Sequence, residues 1–299
     1  MRYLTLLAVL VLGQAPLVRA QKDTAVQVDA AQQLIEAGDL AGATKTLEAA
    51  IASSPESFRA RLGLGRVLDL EGRHDAARVH LEEAVRLASD EERTAALAAL
   101  GISYAFEARP DESARYYQQA FDMQMQAGDR SVAAALANAL ARIYLESGNL
   151  DRAEQWYTTG YETARDIPAQ APAEIALWEM RRHHALGRIA ARRGNRPAAL
   201  EHASAVRERL DKGIADDQQP AYPYLLGYIA FFFKDYRDAI AQLSKGDLDD
   251  PFVLGLLAQA YEHLGDREAA AKYYRRVLAS TSHSINAAFS RPLARAALR

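Results

Sequence analysis

A helical hairpin that recurs along most of the chain is the feature that most constrains its fold. The clearest copy is LARIYLESGNLDRAEQWYTTG, residues 140–160. Ala141 and Tyr144 share one face of a first helix, and the small alanine allows a neighbouring helix to approach closely. Gly148 suits the left-handed position that ends a helix, and Asn149 suits the N-cap of the next helix. The segment therefore predicts two antiparallel helices joined by a tight turn.

Seven copies of this hairpin align in register from about residue 24 to residue 280. The first helix of each copy carries a small residue, at Ala31, Gly65, Gly101, Ala141, Gly187, Gly227 and Ala258. It ends at Gly38, Gly72, Ala108, Gly148, Gly194, Lys234 and Gly265. In five copies the next residue is of a type favoured at the N-cap of a helix: Asp39, Asn149, Asn195, Asp235 and Asp266. Because one hairpin cannot bury its apolar face alone, the copies predict a continuous stack.

The copies are unevenly spaced, which predicts helices of unequal length. The first helices of the fourth and fifth copies should start near Ser131 and near Pro172. The second helix of the sixth copy should be short, because residues 245–247 interrupt it. The polar, proline-containing residues 211–222 are a candidate hinge. Residues 286–299 are predicted to form a capping helix over the last copy.

These residues resemble the tetratricopeptide repeat, with its pattern W-x2-L-G-x2-Y, A-x3-F and P. Residues 100–104 (LGISY) match the first part, and residues 239–243 (AIAQL) with Pro251 match the rest. The tryptophan position is not occupied by tryptophan in any copy. The resemblance implies an all-α fold: a right-handed superhelical solenoid of about seven helical hairpins over residues 21–285, closed by the C-terminal helix.

Residues 1–20 look like a secretory leader. A basic start and an apolar stretch of about ten residues, too short to span a bilayer, precede Val18 and Ala20 at the positions that signal peptidase reads. We expect cleavage before Gln21 and a periplasmic or secreted bacterial protein; an uncleaved amphipathic anchor is the alternative. Since the chain has no cysteine, a lipid anchor on cysteine and disulfides are both excluded.

Charge and motifs exclude several classes of function. The formal net charge is −3, and removing residues 1–20 would take away two arginines and no acid. This balance argues against binding nucleic acid or anionic membranes. Phosphate loops, zinc helices and nucleophile elbows are absent from the sequence. His183 and His184 are adjacent and point about 100° apart on a helix, which makes a poor metal chelate. We therefore expect no enzyme activity, cofactor or metal.

The resemblance implies a binding groove lined by the first helices. Carrying the family's ligand-facing positions onto this sequence gives polar residues in the fourth copy, an arginine stripe in the fifth and an aromatic stripe in the sixth: Asn138, Arg142 and Glu146; Arg181, His184, Arg188 and Arg192; Tyr224, Tyr228, Phe231 and Phe232. Arginines beside aromatic residues suit a peptide with an acidic group next to an apolar side chain. We expect the groove-facing arginines to be solvated in the free protein. Alternatively, Arg192, Arg193 and Arg196 lie at a helix end and offset its dipole, and Phe231 to Phe233 are core between the sixth and seventh copies.

Three kinds of function stay open on the sequence. The first is a non-catalytic scaffold in the bacterial envelope that binds a protein or peptide in its concave groove. The second is a structural or assembly subunit of an envelope complex, for secretion, outer-membrane biogenesis or polysaccharide export, that uses its outer surface. The third is an accessory to an enzyme on another chain. The partner and the oligomeric state are left open.

Overall fold

The computed structural model describes residues 14–213 and 218–299, and within these ranges the chain forms fifteen α-helices and no strand. The all-α fold expected from the repeats is confirmed. The chain divides into two compact units, a first that ends at Ala99 and a second, Leu100–Arg299.

The first unit holds the first two hairpins and the start of a third. Its helices are α1 (Gln14–Glu36), α2 (Leu40–Ser53), α3 (Phe58–Glu71), α4 (His74–Leu87) and the beginning of α5 (Asp90–Phe106). Small residues bring the paired helices together: a Cβ added to Gly65 would lie 2.5 Å from Cγ of Leu81. The core between the helices includes Ala43, Leu47, Leu64 and Leu68.

The second unit continues α5 and contains the remaining helices of the described chain. These are α6 (Pro110–Ala127), α7 (Arg130–Glu146), α8 (Leu150–Arg165), α9 (Pro172–Arg192), α10 (Arg196–Asp211), α11 (Ala221–Phe232), α12 (Tyr236–Leu243), α13 (Pro251–His263), α14 (Arg267–Ala279) and α15 (Ile285–Ala297). From α6 onward, helices that follow each other along the chain pack together. A buried cluster that includes Val206, Leu225, Ile229, Leu243 and Leu257 joins α10 to α13.

Every position predicted to end a first helix has a positive φ, as the repeat register requires: Gly38, Gly72, Ala108, Gly148, Gly194, Lys234 and Gly265. Ala108 (φ 55°) and Lys234 (φ 64°) adopt this conformation with a Cβ atom, which disfavours it in L-residues. In the third and sixth copies the hairpin geometry therefore imposes a left-handed backbone conformation on residues that disfavour it.

The predicted N-caps are confirmed with one exception. Asp39, Asn149, Asn195 and Asp266 each accept a hydrogen bond from the amide three residues ahead. Asp235 precedes α12 but makes no such bond. Its carboxylate instead accepts from Arg196 at the start of α10, with Nη2 2.6 Å from Oδ2. An ion pair between two hairpins thus replaces one cap.

Helix lengths follow the predicted spacing. The first helices of the fourth and fifth copies, α7 and α9, have 17 and 21 residues, and α9 begins at Pro172. The short α12 has 8 residues. Residues 214–217, inside the candidate hinge 211–222, lie outside the described residues. The hinge therefore stays a prediction.

The C-terminal helix α15 begins at Ile285, one residue before the predicted boundary. It packs against α13 and α14 and also contacts α7. Arg291, only 3% exposed, donates from Nη1 to the carbonyl oxygens of Leu278 and Ser280, at 2.9 and 2.7 Å. Burial and the nearby Arg295 lower the pKa of Arg291 to about 10, so it stays charged at neutral pH. The helix thus joins the last copy to the fourth as well as covering its end.

The leader predicted at residues 1–20 falls largely outside the described residues, which begin at Gln14. Helix α1 runs from Gln14, so the predicted cleavage point before Gln21 lies within it. Cleavage stays a prediction. None of the helices in the described ranges has the length and hydrophobicity needed to cross a membrane.

Candidate functional site

The second unit contains a cleft of about 580 Å³, here called the inner cleft. Helices α7, α9 and α11 provide most of its polar wall, and the N-terminal end of α15 borders it. The lining residues are Ile102, Tyr117, Asn138, Ala139, Arg142, Tyr157, Met180, Arg181, His184, Arg188, Gln218, Ala221, Tyr224, His283, Ser284, Ile285 and Asn286.

Helical spacing places the polar side chains in this cleft. Asn138 and Arg142 are four residues apart on α7, and Arg181, His184 and Arg188 are separated by three and four residues on α9. Residues at these separations lie on one face of a helix. The first helices of three successive copies thus present to the same space the sides that the resemblance predicts to face a ligand.

Arg142 is tied to its neighbours by several contacts. Its Nε lies 2.8 Å from Oε1 of Glu146, and its Nη2 donates to the hydroxyl of Tyr224 at 3.1 Å. The guanidinium carbon lies 4.3 Å from the centre of the Phe252 ring. Burial would lower the pKa of Arg142, but Tyr224 and Glu146 outweigh it and the pKa is raised. Arg142 is therefore a fixed cation in the cleft wall.

Glu146 also approaches a second arginine. Its Oε2 lies 3.6 Å from Nη1 of Arg192, and its side chain is only 6% exposed. One buried carboxylate is therefore shared between Arg142 and Arg192. Its charge offsets only one of the two cations.

Arg188 lies at the floor of the inner cleft and is only 5% exposed. Nη2 donates to the hydroxyl of Tyr157 at 2.9 Å. Nε and Nη1 are buried and have no hydrogen-bond partner among the described residues. Leaving buried donors of a charged group unsatisfied costs free energy. The expectation that this arginine would be solvated is wrong, because Tyr157 of α8 and Tyr224 and Tyr228 of α11 surround it.

His184 is the neutral neighbour of Arg188. Burial and the adjacent Arg188 and Arg142 lower the pKa of His184 well below its ordinary value, while a hydrogen bond to the backbone of Ala221 raises it slightly. The ring lies 5.3 Å from that of Tyr224. Its Nε2 is buried without a hydrogen-bond partner in the described chain. At neutral pH the cleft thus holds an uncharged imidazole beside an arginine.

Polar groups also mark the rim. Arg181 is exposed, with its guanidinium carbon 5.1 Å from the Trp178 ring centre. On the α15 side, Asn286 Nδ2 donates to Oδ2 of Asp250 at 2.8 Å. Burial raises the pKa of Asp250, against the opposing effects of its hydrogen bond from Phe252 and of Arg142.

The structure brings six of the predicted groove residues into the inner cleft: Asn138, Arg142, Arg181, His184, Arg188 and Tyr224. The other five lie elsewhere, and Glu146 is buried between Arg142 and Arg192. Arg192 pairs with Glu146 and lies over the Phe232 ring, 4.8 Å from its centre. Tyr228 is completely buried. Phe231 packs against Tyr236, and both Phe231 and Phe232 flank the core cluster.

Sequence reasoning did not find several lining residues. Tyr157 belongs to a second helix, and Met180 lies next to the arginine stripe. Ser284 and Ile285 precede the segment predicted to cap the last copy, and Asn286 begins it. Tyr157 and Met180 could not be recognised as lining residues from the sequence, because aromatic and apolar residues also form the repeat core.

These features define an all-α repeat protein whose first helices surround a cleft. Family models described as tetratricopeptide repeat match residues 34–100, 92–166, 180–205 and 253–284. The chain therefore belongs to the tetratricopeptide repeat family. Such repeats generally serve as non-catalytic scaffolds for protein–protein interaction.

Solved structures share the fold at low sequence identity. A tetratricopeptide repeat protein from Parabacteroides merdae has a TM-score of 0.55 and 12% identity, covering 93% of this chain and 98% of that one. The nearly identical TPR-like repeats of a putative kinesin light chain from Podospora anserina have a TM-score of 0.52 and 20% identity, covering 63% of this chain and 95% of that one. Comparison with curated proteins finds no match. These likenesses establish the fold alone.

Proposed function

We propose that this protein is a non-catalytic interaction scaffold of the bacterial envelope that binds an acidic segment of a protein partner in the inner cleft. Family membership supports the scaffold role. The leader-like residues 1–20 support export. Within the described residues, no group of His, Asp and Glu could hold a metal ion.

The observation that carries this proposal is the surplus of positive charge around the cleft. Arg142 shares Glu146 with Arg192, and Arg188 has a phenol but no carboxylate as its described hydrogen-bond partner. Arg181 adds a solvent-exposed cation at the rim. A carboxylate entering the cleft would meet charge-assisted donors, which bind more strongly than neutral ones.

The outer surface offers less support for the alternative of an envelope assembly subunit. Large apolar side chains that are exposed in the described residues belong to separate elements: Val26, Val79, Met125, Val132, Leu200, Leu264 and Leu293. Exposed apolar residues that are scattered singly are ordinary, whereas an assembly interface presents a contiguous patch. We therefore place the partner in the cleft.

Capture from a periplasmic extract followed by mass spectrometry tests the proposal. Wild-type protein should retain a specific partner, and Arg181→Glu should lose it because the rim cation becomes an anion. Arg267→Glu is the matched control, since Arg267 is an exposed arginine at the start of α14 outside the cleft. Equal retention by all three proteins would contradict binding in the cleft.

Affinity measurements then test the acidic group. An acidic peptide from the captured partner should bind the wild type at least tenfold more tightly than Arg181→Glu, which corresponds to about 1.4 kcal/mol. The difference should shrink at high salt, because Arg181 is exposed and screened. A salt-independent affinity would contradict an electrostatic contact at the rim.

A further inference from the structure

The inner cleft has the dimensions and lining of a small-molecule site. Its volume of about 580 Å³ lies within the range of roughly 300–1,000 Å³ typical of ligand pockets. Apolar side chains such as Ile102, Met180 and Ile285 line it together with aromatic ones such as Tyr117 and Tyr224. Such pockets combine an apolar wall with a few polar groups that fix the orientation of the ligand.

The end of α15 limits the cleft on one side. Ser284, Ile285 and Asn286 border the space, and Asn286 is held by its hydrogen bond to Asp250. Since α15 also contacts α7, the last helix lies across part of the binding side of the first helices. A space bordered in this way suits a compact ligand.

The positive charge of Arg188 at the floor of the cleft favours binding of an anion. Arg188 is only 5% exposed, and two of its nitrogen atoms have no hydrogen-bond partner among the described residues. Its described hydrogen bond goes to the hydroxyl of Tyr157. Glu146 is already shared by Arg142 and Arg192. His184 is neutral at pH 7 because its pKa is lowered by burial and by Arg188 and Arg142. The protein itself therefore supplies no counter-charge to Arg188 among the described contacts.

We propose that the inner cleft binds a small organic acid, with its carboxylate on Arg188 and its apolar or aromatic body against Met180 and Tyr224. The carboxylate accepts hydrogen bonds from the guanidinium. His184 Nε2 can accept a hydrogen bond from a hydroxyl group on the ligand. This goes beyond the proposed function, because a free acid fills the cleft without any protein partner. The acid and an acidic segment of the partner would compete for the cleft.

Isothermal titration with matched ligands tests this inference. The probes are octanoate, phenylacetate and 4-phenylbutyrate, each compared with its neutral amide. At millimolar concentrations at least one acid should bind with one-to-one stoichiometry, and its amide should bind at least tenfold more weakly. Equal binding of each acid and its amide, or no binding of any of the three acids, would overturn the inference.

Two variants locate the ligand. Arg188→Met removes the buried charge at similar volume and should weaken acid binding at least tenfold, while Arg267→Met should not change it. Ala139→Phe retains Arg188 but fills the cleft and should also weaken binding at least tenfold. Far-ultraviolet dichroism and thermal melting confirm that each variant is folded. Unchanged binding in a folded Ala139→Phe protein would place the acid outside the cleft and overturn the inference.

The outcomes separate this inference from the proposed function. If the captured partner's acidic peptide binds the wild type but none of the acids does, the organic-acid site is wrong and the scaffold stands. If an acid binds through Arg188 but Arg181→Glu retains every partner, the small-molecule site stands and partner binding in the cleft is wrong.

Discussion

Arg142 on α7 donates to the hydroxyl of Tyr224 on α11, with Nη2 and the phenol oxygen 3.1 Å apart. The two residues are separated by 82 positions in the chain and belong to the fourth and sixth copies. This hydrogen bond therefore joins two copies that are not neighbours in the sequence of repeats.

Tyr224→Phe should lower the free energy of unfolding by about 1.5–3 kcal/mol, because it removes a hydrogen bond to a charged group. Chemical denaturation of wild type, Tyr224→Phe, Arg142→Met and the double variant measures the coupling. Tyr222→Phe, on the same helix, is the control. Additive effects of the two single changes would mean that this hydrogen bond contributes nothing to stability.

Gly101→Asp should lower the free energy of unfolding by about 2–5 kcal/mol, by overpacking and by burying a charge. A Cβ at Gly101 would lie 2.8 Å from Cδ2 of Tyr117, so α5 and α6 would have to move apart. Gln119→Asp, at an exposed position of α6, should change stability by no more than about 0.5 kcal/mol. Wild-type stability in Gly101→Asp would contradict the close packing of this hairpin.

Ala108→Gly should raise the free energy of unfolding by about 0.5–1 kcal/mol, because glycine adopts the left-handed conformation without the Cβ penalty but adds freedom to the unfolded chain. Ala135→Gly makes the same chemical change at an exposed position inside α7 and should lower it by about 1 kcal/mol. Thermal and urea unfolding of both variants would show the opposite signs. The same sign in both would contradict strain at Ala108.

The imidazoles of His183 and His202 should make stability depend on pH. Their Nδ1 atoms are 3.1 Å apart between α9 and α10. Burial lowers the pKa of both rings. At His183 the nearby Arg209, His202 and Arg182 lower the pKa further, whereas Glu179 raises it. At His202 the neighbouring Glu201 raises the pKa and Arg182 lowers it.

Since the folded pKa values lie below the unfolded value of about 6.5, the unfolded state binds more protons in mildly acidic solution. The free energy of unfolding should be nearly constant above about pH 7.5 and fall as the pH drops through about 6.5. His202→Gln should reduce that slope because it removes one of the two titrating rings. Denaturation between about pH 8 and 5.5 tests this, and an unchanged slope in His202→Gln would contradict it.

Export predicts a mature N-terminus at Gln21, because Val18 and Ala20 occupy the positions that signal peptidase reads. Intact-mass measurement of the protein from a periplasmic or secreted fraction should show loss of residues 1–20. A chain that retains Met1 in that fraction would favour the uncleaved anchor.

Local signals in the sequence predicted the helices well. Turn residues such as Gly148 and Asn149, and small residues such as Gly101, act within one hairpin, so their spacing is visible in the chain itself. Proline at the start of α9 and the break after α12 act locally in the same way.

The burial of Arg188 could not be predicted in this way. It depends on how α8 and α11 pack against α9, which no local spacing encodes. Tyr228 shows the same limit: the resemblance assigns it to the groove, but its ring lies in the core of the second unit. Side chains of the same types face the cleft or the core according to tertiary packing alone.

Contacts between distant copies also bear on how this protein unfolds. Repeats that touch only their neighbours come apart copy by copy from the ends. In the second unit the ring centres of Phe106 and His283 lie 5.7 Å apart, Arg142 covers Phe252, and α15 contacts α7. Detaching the chain from His283 to the end of α15 therefore removes contacts with the third and fourth copies at once. Residues 100–299 should melt as a single cooperative block, and no further copy could be appended after α14 without first releasing α15 from α7.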